Sequence, residues 1–259
     1  MPERLLIQIS DIHLTGGGML LPGVRPRDNL CAGLSLVIDA GLEPDLFILT
    51  GDLADTGDPE CYEDLAEIMD AVAASTGASV AYLPGNHDAH PPFRRHLLHS
   101  APTWETINQV YWCGDLRVVC LDSVVPGEEF GALTHETLGF LRDTLATPAP
   151  GGTVLALHHP PIPSPVKPMS HLRLREPEAL ADAIAGSDVR VVLCGHNHHE
   201  GLGAVASIPV WVSPSVAYRM DVLARAEFHK LPGSAFSQVV VDEGGVTVSV
   251  IPIPIGGAR

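Results

Sequence analysis

The hydrophobic positions of the chain fall into short runs rich in Val, Ile and Leu. Longer segments between them repeat their apolar residues at helical spacing. Short apolar runs are typical of strands, and the intervening spacing is typical of helices packed on a sheet. The alternation predicts an α/β fold. The six predicted strands are residues 4–10, 46–50, 79–83, 116–121, 153–157 and 189–194.

Two of the intervening helices have recognisable starts. The first is predicted over 59–74, where Asp58 is a suitable N-cap and Pro59 occupies the first helical position. The second is predicted over 134–145, beginning at Thr134, a residue type that caps helices well. Each helix carries its apolar residues on one stripe, so each is expected to pack one face on the sheet.

After residue 205 the pattern changes to strands alone. We predict three further strands, and Asp242-Glu-Gly-Gly245 is typical of a hairpin turn because glycine adopts positive φ without strain. The proline-rich segment 160–177 is expected to be a long loop, of the kind that forms lids beside sites. The three C-terminal strands are residues 209–213, 236–241 and 245–251.

No linker or internal repeat divides the chain. We therefore expect a single domain over residues 1–259, with its core in 1–205. The C-terminal strands and hairpin in 206–255 are expected either to complete the sheet or to form an interface.

The charge of the chain excludes one class of partner. Fifteen Lys and Arg face thirty-one Asp and Glu, which gives a formal net charge of −16 over 259 residues. Such a surface repels polyanions, so polymeric nucleic acid is not expected as a partner. In contrast, the chain has thirteen histidines and only two lysines, Lys167 and Lys230. Neutral nitrogen ligands are therefore abundant in an acidic protein.

The sequence shows neither a membrane span nor a secretory signal. No apolar stretch approaches the roughly 18 residues that a span requires, and the N-terminus lacks the pattern of a signal peptide. We expect a cytoplasmic protein. Its five cysteines form no Cys-x-x-Cys pair, which argues against a disulfide framework and a structural zinc site.

Residues able to bind metal ions follow five of the six predicted strands. The carboxyl ends of strands form the ligand crevice of α/β sheets, so these segments can converge although they are far apart along the chain. A single His or a single Gly-Asp does not indicate a metal site, but ligand-type residues directly after five different strands favour one. The segments are Asp11-Ile-His13, Gly51-Asp52, Gly85-Asn86-His87-Asp88, His158-His159, and Gly195-His196-Asn-His198-His199.

The types and spacing of these residues suit two metal ions. In Asp-x-His the alternation of a strand end puts both side chains on one side, and Asp52 and Asn86 each follow a glycine that permits a sharp turn. Imidazole, carboxylate and amide ligands without thiolate suit Mn, Fe, Zn or Co. Seven such ligands are too many for one ion and suit two ions that share a carboxylate.

The five segments, in this order, closely resemble the calcineurin-like metallophosphoesterases, whose pattern runs D-x-H, G-D, G-N-H-D/E, H and G-H-x-H. The match covers residues 11–198. Within that superfamily the chain looks most like the class III cyclic nucleotide phosphodiesterases, on the strength of segment 44–55 (Pro-Asp-Leu-Phe-Ile-Leu-Thr-Gly-Asp-Leu-Ala-Asp), His158-His-Pro-Pro161 and the helix after Gly131. The helix departs from relatives at Thr137 and Phe140, which concerns packing.

The resemblance implies a four-layer α/β/β/α sandwich with a dimetal site at the carboxyl ends of the strands. It implies two Mn²⁺, Fe²⁺/Fe³⁺ or Zn²⁺ ions that share Asp52. His158 is taken as a ligand because the first His of the pair is the family ligand, and His159 and His199 are expected to be structural. The implied sets are Asp11, His13, Asp52 and His198 for one ion, and Asp52, Asn86, His158 and His196 for the other.

The implied activity is hydrolysis of small phosphodiesters, with 3′,5′-cyclic nucleotides (cAMP or cGMP) foremost. His87 is expected to protonate the leaving group or steady the transition state, and Asp88 to orient His87 by a hydrogen bond. Segments 16–27, 90–99 and 160–177 are expected as loops that recognise the organic group. Open alternatives are a glycerophosphodiesterase, a phosphatase of monoesters, and a metal-binding scaffold without catalysis. The resemblance also leaves open a homodimer or larger homo-oligomer.

Overall fold

The computed structural model describes residues 2–254. The predicted domain 1–259 and its C-terminal part 206–255 therefore extend beyond the described residues at their ends. The strands are β1 (Arg4–Ile9), β2 (Leu46–Thr50), β3 (Ser79–Leu83), β4 (Gln109–Cys113), β5 (Leu116–Leu121), β6 (Thr153–Leu157), β7 (Val189–Cys194), β8 (Gly201–Val205), β9 (Ile208–Val212), β10 (Arg219–Met220), β11 (Lys230–Leu231), β12 (Ser234–Asp242) and β13 (Gly245–Ile253). The helices are α1 (Pro26–Asp39), α2 (Pro59–Thr76), α3 (His90–Leu97), α4 (His135–Leu145), α5 (Lys167–His171) and α6 (Pro177–Ile184).

The strands form two large mixed sheets. The first has the order β13-β12-β1-β2-β3, in which β1, β2 and β3 run parallel. The second has the order β4-β5-β6-β7-β9-β8, in which β5, β6, β7 and β9 run parallel. All six strands predicted from the apolar runs are confirmed. Because β1, β2, β3, β6 and β7 lie inside these parallel groups, their carboxyl ends can share one rim.

The two sheets pack face to face, and helices cover both outer faces. Side chains such as Ile48 of the first sheet and Leu193 of the second form the cluster between the sheets. On the outside, Tyr62 of α2 packs with the first sheet, and Leu180 of α6 packs with the second. This arrangement confirms the predicted α/β/β/α sandwich. Strands with both faces buried explain the nearly continuous apolar runs of the sequence.

The C-terminal strands join the first sheet. Strand β12 pairs antiparallel with β1, with Leu6 opposite Val239, and β13 pairs with β12. The predicted hairpin turn is confirmed, since Asp242 lies opposite Gly245. Of the two roles predicted for this part of the chain, the pairing supports completion of the sheet. The single-domain assignment stays a prediction.

The prolines account for most of the missed helices. Segment 90–99, predicted as a loop, contains α3, segment 160–177 contains α5 and ends where α6 begins, and segment 16–27 ends inside α1, so all three loop predictions are wrong in part. In each of these helices a proline occupies one of the first two positions. Proline is tolerated there because the first N–H groups of a helix have no intrahelical partner.

Helix capping follows the sequence in one case and departs from it in the other. The Thr134 side chain accepts a hydrogen bond from the Thr137 N–H at 3.0 Å, as expected of an N-cap. Asp58 occupies the N-cap position of α2 and Pro59 follows it, as predicted, but the Asp58 side chain makes no capping hydrogen bond. The Asp58 carboxylate instead accepts a hydrogen bond from the Thr56 hydroxyl.

The cysteines and the helices agree with two further expectations. All five cysteines are free, and four of them are buried. Among residues 2–254, no helix combines the length and the apolar character that crossing a bilayer requires.

Candidate metal centre

The five predicted segments meet at the carboxyl ends of β1, β2, β3, β6 and β7. Backbone hydrogen bonds join the first two: the Asp11 N–H donates to Gly51 at 3.0 Å, and the His13 N–H donates to Asp52 at 2.9 Å. Five of the nine described non-glycine residues with positive φ belong to the predicted ligand set. They are Asp11, His13, Asp52, His196 and His198. Such strain persists where surrounding structure holds it, and it concentrates at functional sites.

The glycines that precede the ligands are required by close packing. A Cβ on Gly51 would collide with the ring of His158, and a Cβ on Gly85 would collide with Asp52. Gly51 also adopts a φ of 93°. Only a residue without a side chain therefore lets these loops approach one another so closely.

The structure brings together the whole of one predicted ligand set. Asp11, His13, Asp52 and His198 are buried, and one ligand atom from each lies within 4.8 Å of the others. The Nε2 atom of His13 lies 3.6 Å from Oδ2 of Asp52, and Nε2 of His198 lies 3.5 Å from Oδ1 of Asp11. Two carboxylates and two imidazoles thus face one point.

Hydrogen bonds at the far nitrogens fix which ring atoms point inward. His13 donates from Nδ1 to Oδ1 of Asp55 at 3.1 Å, and His198 donates from Nδ1 to the Tyr218 carbonyl at 3.1 Å. Both Nε2 atoms then point into the site 3.1 Å apart, so a proton or a metal ion must lie between their lone pairs. Burial would lower the pKa of His13, but the Asp55 hydrogen bond and the Asp52 charge outweigh it and raise that pKa. The donor set therefore fits a metal ion.

The second predicted set gathers around His158. Its Nδ1 donates to the Thr50 carbonyl at 2.8 Å, so Nε2 points into the site. That Nε2 atom lies 3.2 Å from Oδ1 of Asn86 and 3.4 Å from Oδ2 of Asp52. Asp52 therefore lies beside both sets, as a shared carboxylate must.

His196 completes the second set but also approaches His159. Its ring centroid lies 5.1 Å from that of His158 and 4.7 Å from that of His159. The buried Nε2 of His196 has no hydrogen-bond partner among residues 2–254, a state that suits a metal ligand. The ring nitrogens of His158, His159 and His196 lie within 4.8 Å of one another.

The contacts of the neighbouring histidines distinguish their roles. His159 has its Nδ1 engaged by the Ser123 hydroxyl at 2.8 Å, and His199 has its Nε2 engaged by the Ser164 hydroxyl at 2.8 Å. His158, by contrast, reaches both Asn86 and Asp52. These contacts support His158 as the ligand and a structural role for His199. The buried Nε2 of His159, like that of His196, has no hydrogen-bond partner among residues 2–254, so the structural role of His159 stays a prediction.

Burial and charge shift the titration of the cluster in opposite directions. Burial raises the pKa of Asp11 to about 6, although the charge of His158 opposes the shift. Burial alone would lower the pKa of His158, yet the Asp52 carboxylate outweighs it and raises that pKa to about 9. Burial lowers the pKa of His196 to about 3. With protein groups alone, His158 therefore carries a proton where a cation would bind.

His87 lies on the open side of the cluster. It donates from Nδ1 to the Asp55 carbonyl at 2.7 Å, and its ring meets His13 edge-on at a centroid distance of 4.6 Å. Its side chain is 40% exposed. His87 is thus held in place while its ring stays accessible to a bound molecule.

Asp88 does not orient His87, so that expectation is wrong. Its carboxylate accepts hydrogen bonds from the N–H groups of Leu53, Ala54 and Gly85 and from the Tyr62 hydroxyl, the last at 2.9 Å. It thereby ties the loop that follows Asp52 to the loop that carries Asn86. Asp88 acts on backbone geometry and does not touch the cleft.

A cleft of about 270 Å³ opens onto the cluster. Sequence analysis missed much of its wall, including Tyr218, Phe228 and Lys230, and it missed Asp55, which holds His13 and His87. Asp55 could have been suspected from its position three residues after Asp52 in Gly-Asp-Leu-Ala-Asp. The residues lining the cleft are His13, Asp52, Asn86, His87, Glu129, Met169, Leu172, His196, His198, Tyr218, Met220, Phe228 and Lys230.

Curated relatives extend over nearly the whole chain. The chain is 38% identical to a cAMP/cGMP dual specificity phosphodiesterase of Mycobacterium tuberculosis, covering 100% of this chain and 85% of the relative. It is 42% identical to a probable cyclic nucleotide phosphodiesterase of Rhodococcus erythropolis, covering 85% of this chain and 73% of the relative.

Comparison of structures and of family patterns leads to the same group of proteins. A dimetal phosphatase from Danio rerio superposes with a TM-score of 0.67 at 14% identity, over 98% of this chain and 99% of that one, and shows the shared fold. The model of the calcineurin-like phosphoesterase family matches residues 5–200. With its strand-end clusters and these matches, the chain belongs to the calcineurin-like phosphoesterase family.

Proposed function

We propose that the protein is a dinuclear metal-dependent phosphodiesterase that hydrolyses small phosphodiesters, with 3′,5′-cyclic nucleotides foremost. The observation that carries the proposal is the meeting of two ligand sets at Asp52, at the base of one cleft. The names of the Mycobacterium and Rhodococcus relatives support the cyclic nucleotide as substrate.

The residues present fit two metal ions. Asp11, His13, Asp52 and His198 would hold one, and Asp52, Asn86, His158 and His196 would hold the other. Bound there, metal ions supply Lewis-acid activation of water and neutralise the charge of the phosphate. Manganese, iron and zinc all suit this donor set.

The dimensions of the cleft favour a small substrate. Its volume of about 270 Å³ lies near the lower end of the range of small-molecule sites, about 300–1,000 Å³. The formal net charge of −16 disfavours an extended polyanion. A cyclic mononucleotide, with a single negative charge, satisfies both conditions.

The chain's own residues then have distinct tasks. Asp52 and Asn86 carry oxygen ligands on glycine-led turns. Cleavage of one P–O bond leaves an alkoxide that must gain a proton, and His87 in its protonated form can donate one from Nε2, since Nδ1 is bound to the Asp55 carbonyl. Asp88 holds the loop of Asp52 and the loop of Asn86 together by accepting hydrogen bonds from the backbone of both.

Steady-state kinetics on a substrate panel test the proposal. The panel contains 3′,5′- and 2′,3′-cyclic nucleotides, a glycerophosphodiester and an aryl monoester, with metal analysis of the same sample. We expect the highest kcat/KM for a 3′,5′-cyclic nucleotide, loss of activity on chelation and recovery on metal addition. A preference for the monoester, or full activity in chelated protein, would overturn the proposal.

Three finer predictions accompany it. The enzyme is expected in the cytoplasm. A small phosphodiester is the expected partner and polymeric nucleic acid is not, while homo-oligomerisation stays open to measurement in solution.

A further inference from the structure

Much of the cleft lining outside the ligand loops comes from one short segment, residues 218–231, called here the 218–231 hairpin. Its strands β10 and β11 pair antiparallel, with Met220 opposite Lys230. Four of the cleft-lining side chains belong to it, namely Tyr218, Met220, Phe228 and Lys230. None of the four belongs to the predicted ligand sets.

The hairpin is attached directly to a ligand loop. The Met220 N–H donates to the carbonyl of His198 at 2.8 Å, and the Tyr218 carbonyl accepts from Nδ1 of His198 at 3.1 Å. The ring of Tyr218 also stacks on that of His198, with centroids 4.2 Å apart. The position of the hairpin relative to the metal centre is therefore fixed by contacts on both backbone and side chain.

Phe228 places an apolar ring in the same cleft as the candidate metal ligands, although it is not one of the residues assigned to the hydrolysis. Its side chain is 50% exposed while it lines the cleft. Within residues 2–254, Phe228 has no aromatic ring partner, and its side chain lines the cleft. An exposed aromatic ring beside a polar site is a stacking platform for a planar ligand group.

Lys230 places a positive charge at the same wall. Its Nζ lies 4.5 Å from the centroid of the Tyr218 ring, a cation–π contact that restrains the ammonium group. No other Lys or Arg lines the cleft in the part of the chain that the structure describes. In a chain with two lysines and a net charge of −16, this cation is well placed to attract an anion.

We propose that the 218–231 hairpin recognises the substrate: Phe228 stacks on a planar ring of the diester, and the ammonium of Lys230 pairs with an anionic oxygen of its phosphate. This inference rests on the proposed function and deepens it by naming the residues that select among diesters. It assigns chemistry to the ligand loops and selectivity to the hairpin.

The stacking role is tested by Phe228→Leu and Phe228→Trp. Substrates are cAMP and a methyl ribofuranoside 3′,5′-cyclic phosphate, which has the same sugar and phosphate but no base. For Phe228→Leu we expect KM for cAMP to rise about tenfold, with kcat nearly unchanged and no change for the base-free diester. Phe228→Trp, which keeps an aromatic ring at this position, should leave the KM for cAMP at its wild-type value. Equal effects on both diesters, or none, would overturn the stacking role.

A matched control lies on the same hairpin. Leu223 is 86% exposed and does not line the cleft, so Leu223→Ala should leave both KM values unchanged. Circular dichroism and metal content of each variant establish that fold and metal centre are intact. Since Phe228 is half exposed, its substitutions remove little packing.

The charge role is tested by comparing the two lysines. Lys230→Gln and Lys167→Gln change the net charge equally, but only Lys230 lines the cleft. For Lys230→Gln we expect KM to rise about fivefold for both cyclic diesters, the order of one partly exposed ion pair, and a weaker dependence of KM on salt. Lys167→Gln should change neither. Equal behaviour of the two variants would overturn the role of Lys230.

The two proposals fail in different ways. If the wild-type protein turns over neither cyclic diester, the proposed substrate is wrong. The same variants are then compared on an aryl and an alkyl phosphodiester, for which stacking still predicts a loss confined to the aryl substrate. If the wild type hydrolyses cAMP and Phe228→Leu does so with unchanged KM, the inference alone fails.

Discussion

The two walls of the cleft are built in opposite ways. The ligand wall collects buried side chains from five loops spread over residues 11–198, whereas the other wall comes largely from the continuous 218–231 hairpin. The ligand wall contains five non-glycine residues at positive φ, and the described hairpin contains none. The ligand residues must hold their charged and polar atoms in fixed positions, and buried, strained loops provide this rigidity. Contact with the organic group of a substrate requires only an exposed surface.

The contrast predicts that loss of a metal ligand harms every diester equally, while the effect of a change at Phe228 of the hairpin depends on the organic group of the substrate.

The largest effect is expected from Asp52→Asn. The substitution keeps the size of the side chain but removes the charge shared by both ligand sets. We expect loss of bound metal and a fall in kcat/KM of about a thousandfold or more for all diesters, because Lewis-acid stabilisation is worth several kcal/mol. Metal analysis and kinetics on two diesters measure it.

Asp115→Asn is the control, since Asp115 faces Arg4 far from the site. A loss confined to one diester in Asp52→Asn would contradict the division between the walls.

The next largest effect is expected from His87→Ala. If His87 protonates the leaving group, kcat for an alkoxide-releasing cyclic nucleotide should fall about a hundredfold or more, while release of p-nitrophenolate should change little. Kinetics on cAMP and bis(p-nitrophenyl) phosphate provide the comparison. His135→Ala, at an exposed histidine outside the cleft, should match the wild type. Equal losses on both substrates would assign His87 to binding or positioning.

Metal affinity should depend on pH through the ligand wall alone. The pKa of His158 is raised to about 9 by Asp52, so below that pH a cation must displace a proton. Apparent affinity should therefore fall at least about tenfold for each unit of decreasing pH below 9, and more steeply once His13, whose pKa is also raised, takes up a proton. Below about 6, where Asp11 also takes up a proton, the fall should steepen.

Competition with a chelator of known pH dependence measures this fall. Lys230→Gln should leave it unaltered, because the hairpin holds no ligand. An affinity that is constant between pH 6.5 and 8.5 would contradict the proton displacement.

The smallest effect on activity is expected from Tyr62→Phe, a substitution in the layer of residues beneath the ligand loops. Tyr62→Phe removes the hydroxyl that donates to the buried Asp88 carboxylate at 2.9 Å. We expect the free energy of unfolding to fall by about 1.5–3 kcal/mol, as for a hydrogen bond to a charged group, with little change in kcat/KM.

Tyr111→Phe, which loses a bond to the neutral Gln109 side chain, should cost about 0.5–1.5 kcal/mol in chemical denaturation. A large loss of activity in Tyr62→Phe at unchanged stability would give Asp88 a more direct role.

The fold followed from the sequence where burial is most complete. Strands buried on both faces left continuous apolar runs, and their six positions were predicted within a residue. The helices α3, α5 and α6 were missed because proline at the start of a helix has the same appearance as proline in a loop. The predicted contact between Asp88 and His87 failed because neighbours in sequence can point to opposite sides of a turn.

By itself, the sequence determined the alternation of strands and helices and the residue types at the strand ends, since periodicity and side-chain chemistry are local properties. Only the tertiary structure decided which nitrogen of each histidine points inward, because hydrogen bonds that the rings donate to the Asp55 carboxylate and to the Thr50 and Tyr218 carbonyls fix the rings. It alone brought the 218–231 hairpin against His198, since that contact joins distant segments. Lys230, one of two lysines in an acidic chain, thereby acquired a place in the cleft that no local pattern could reveal.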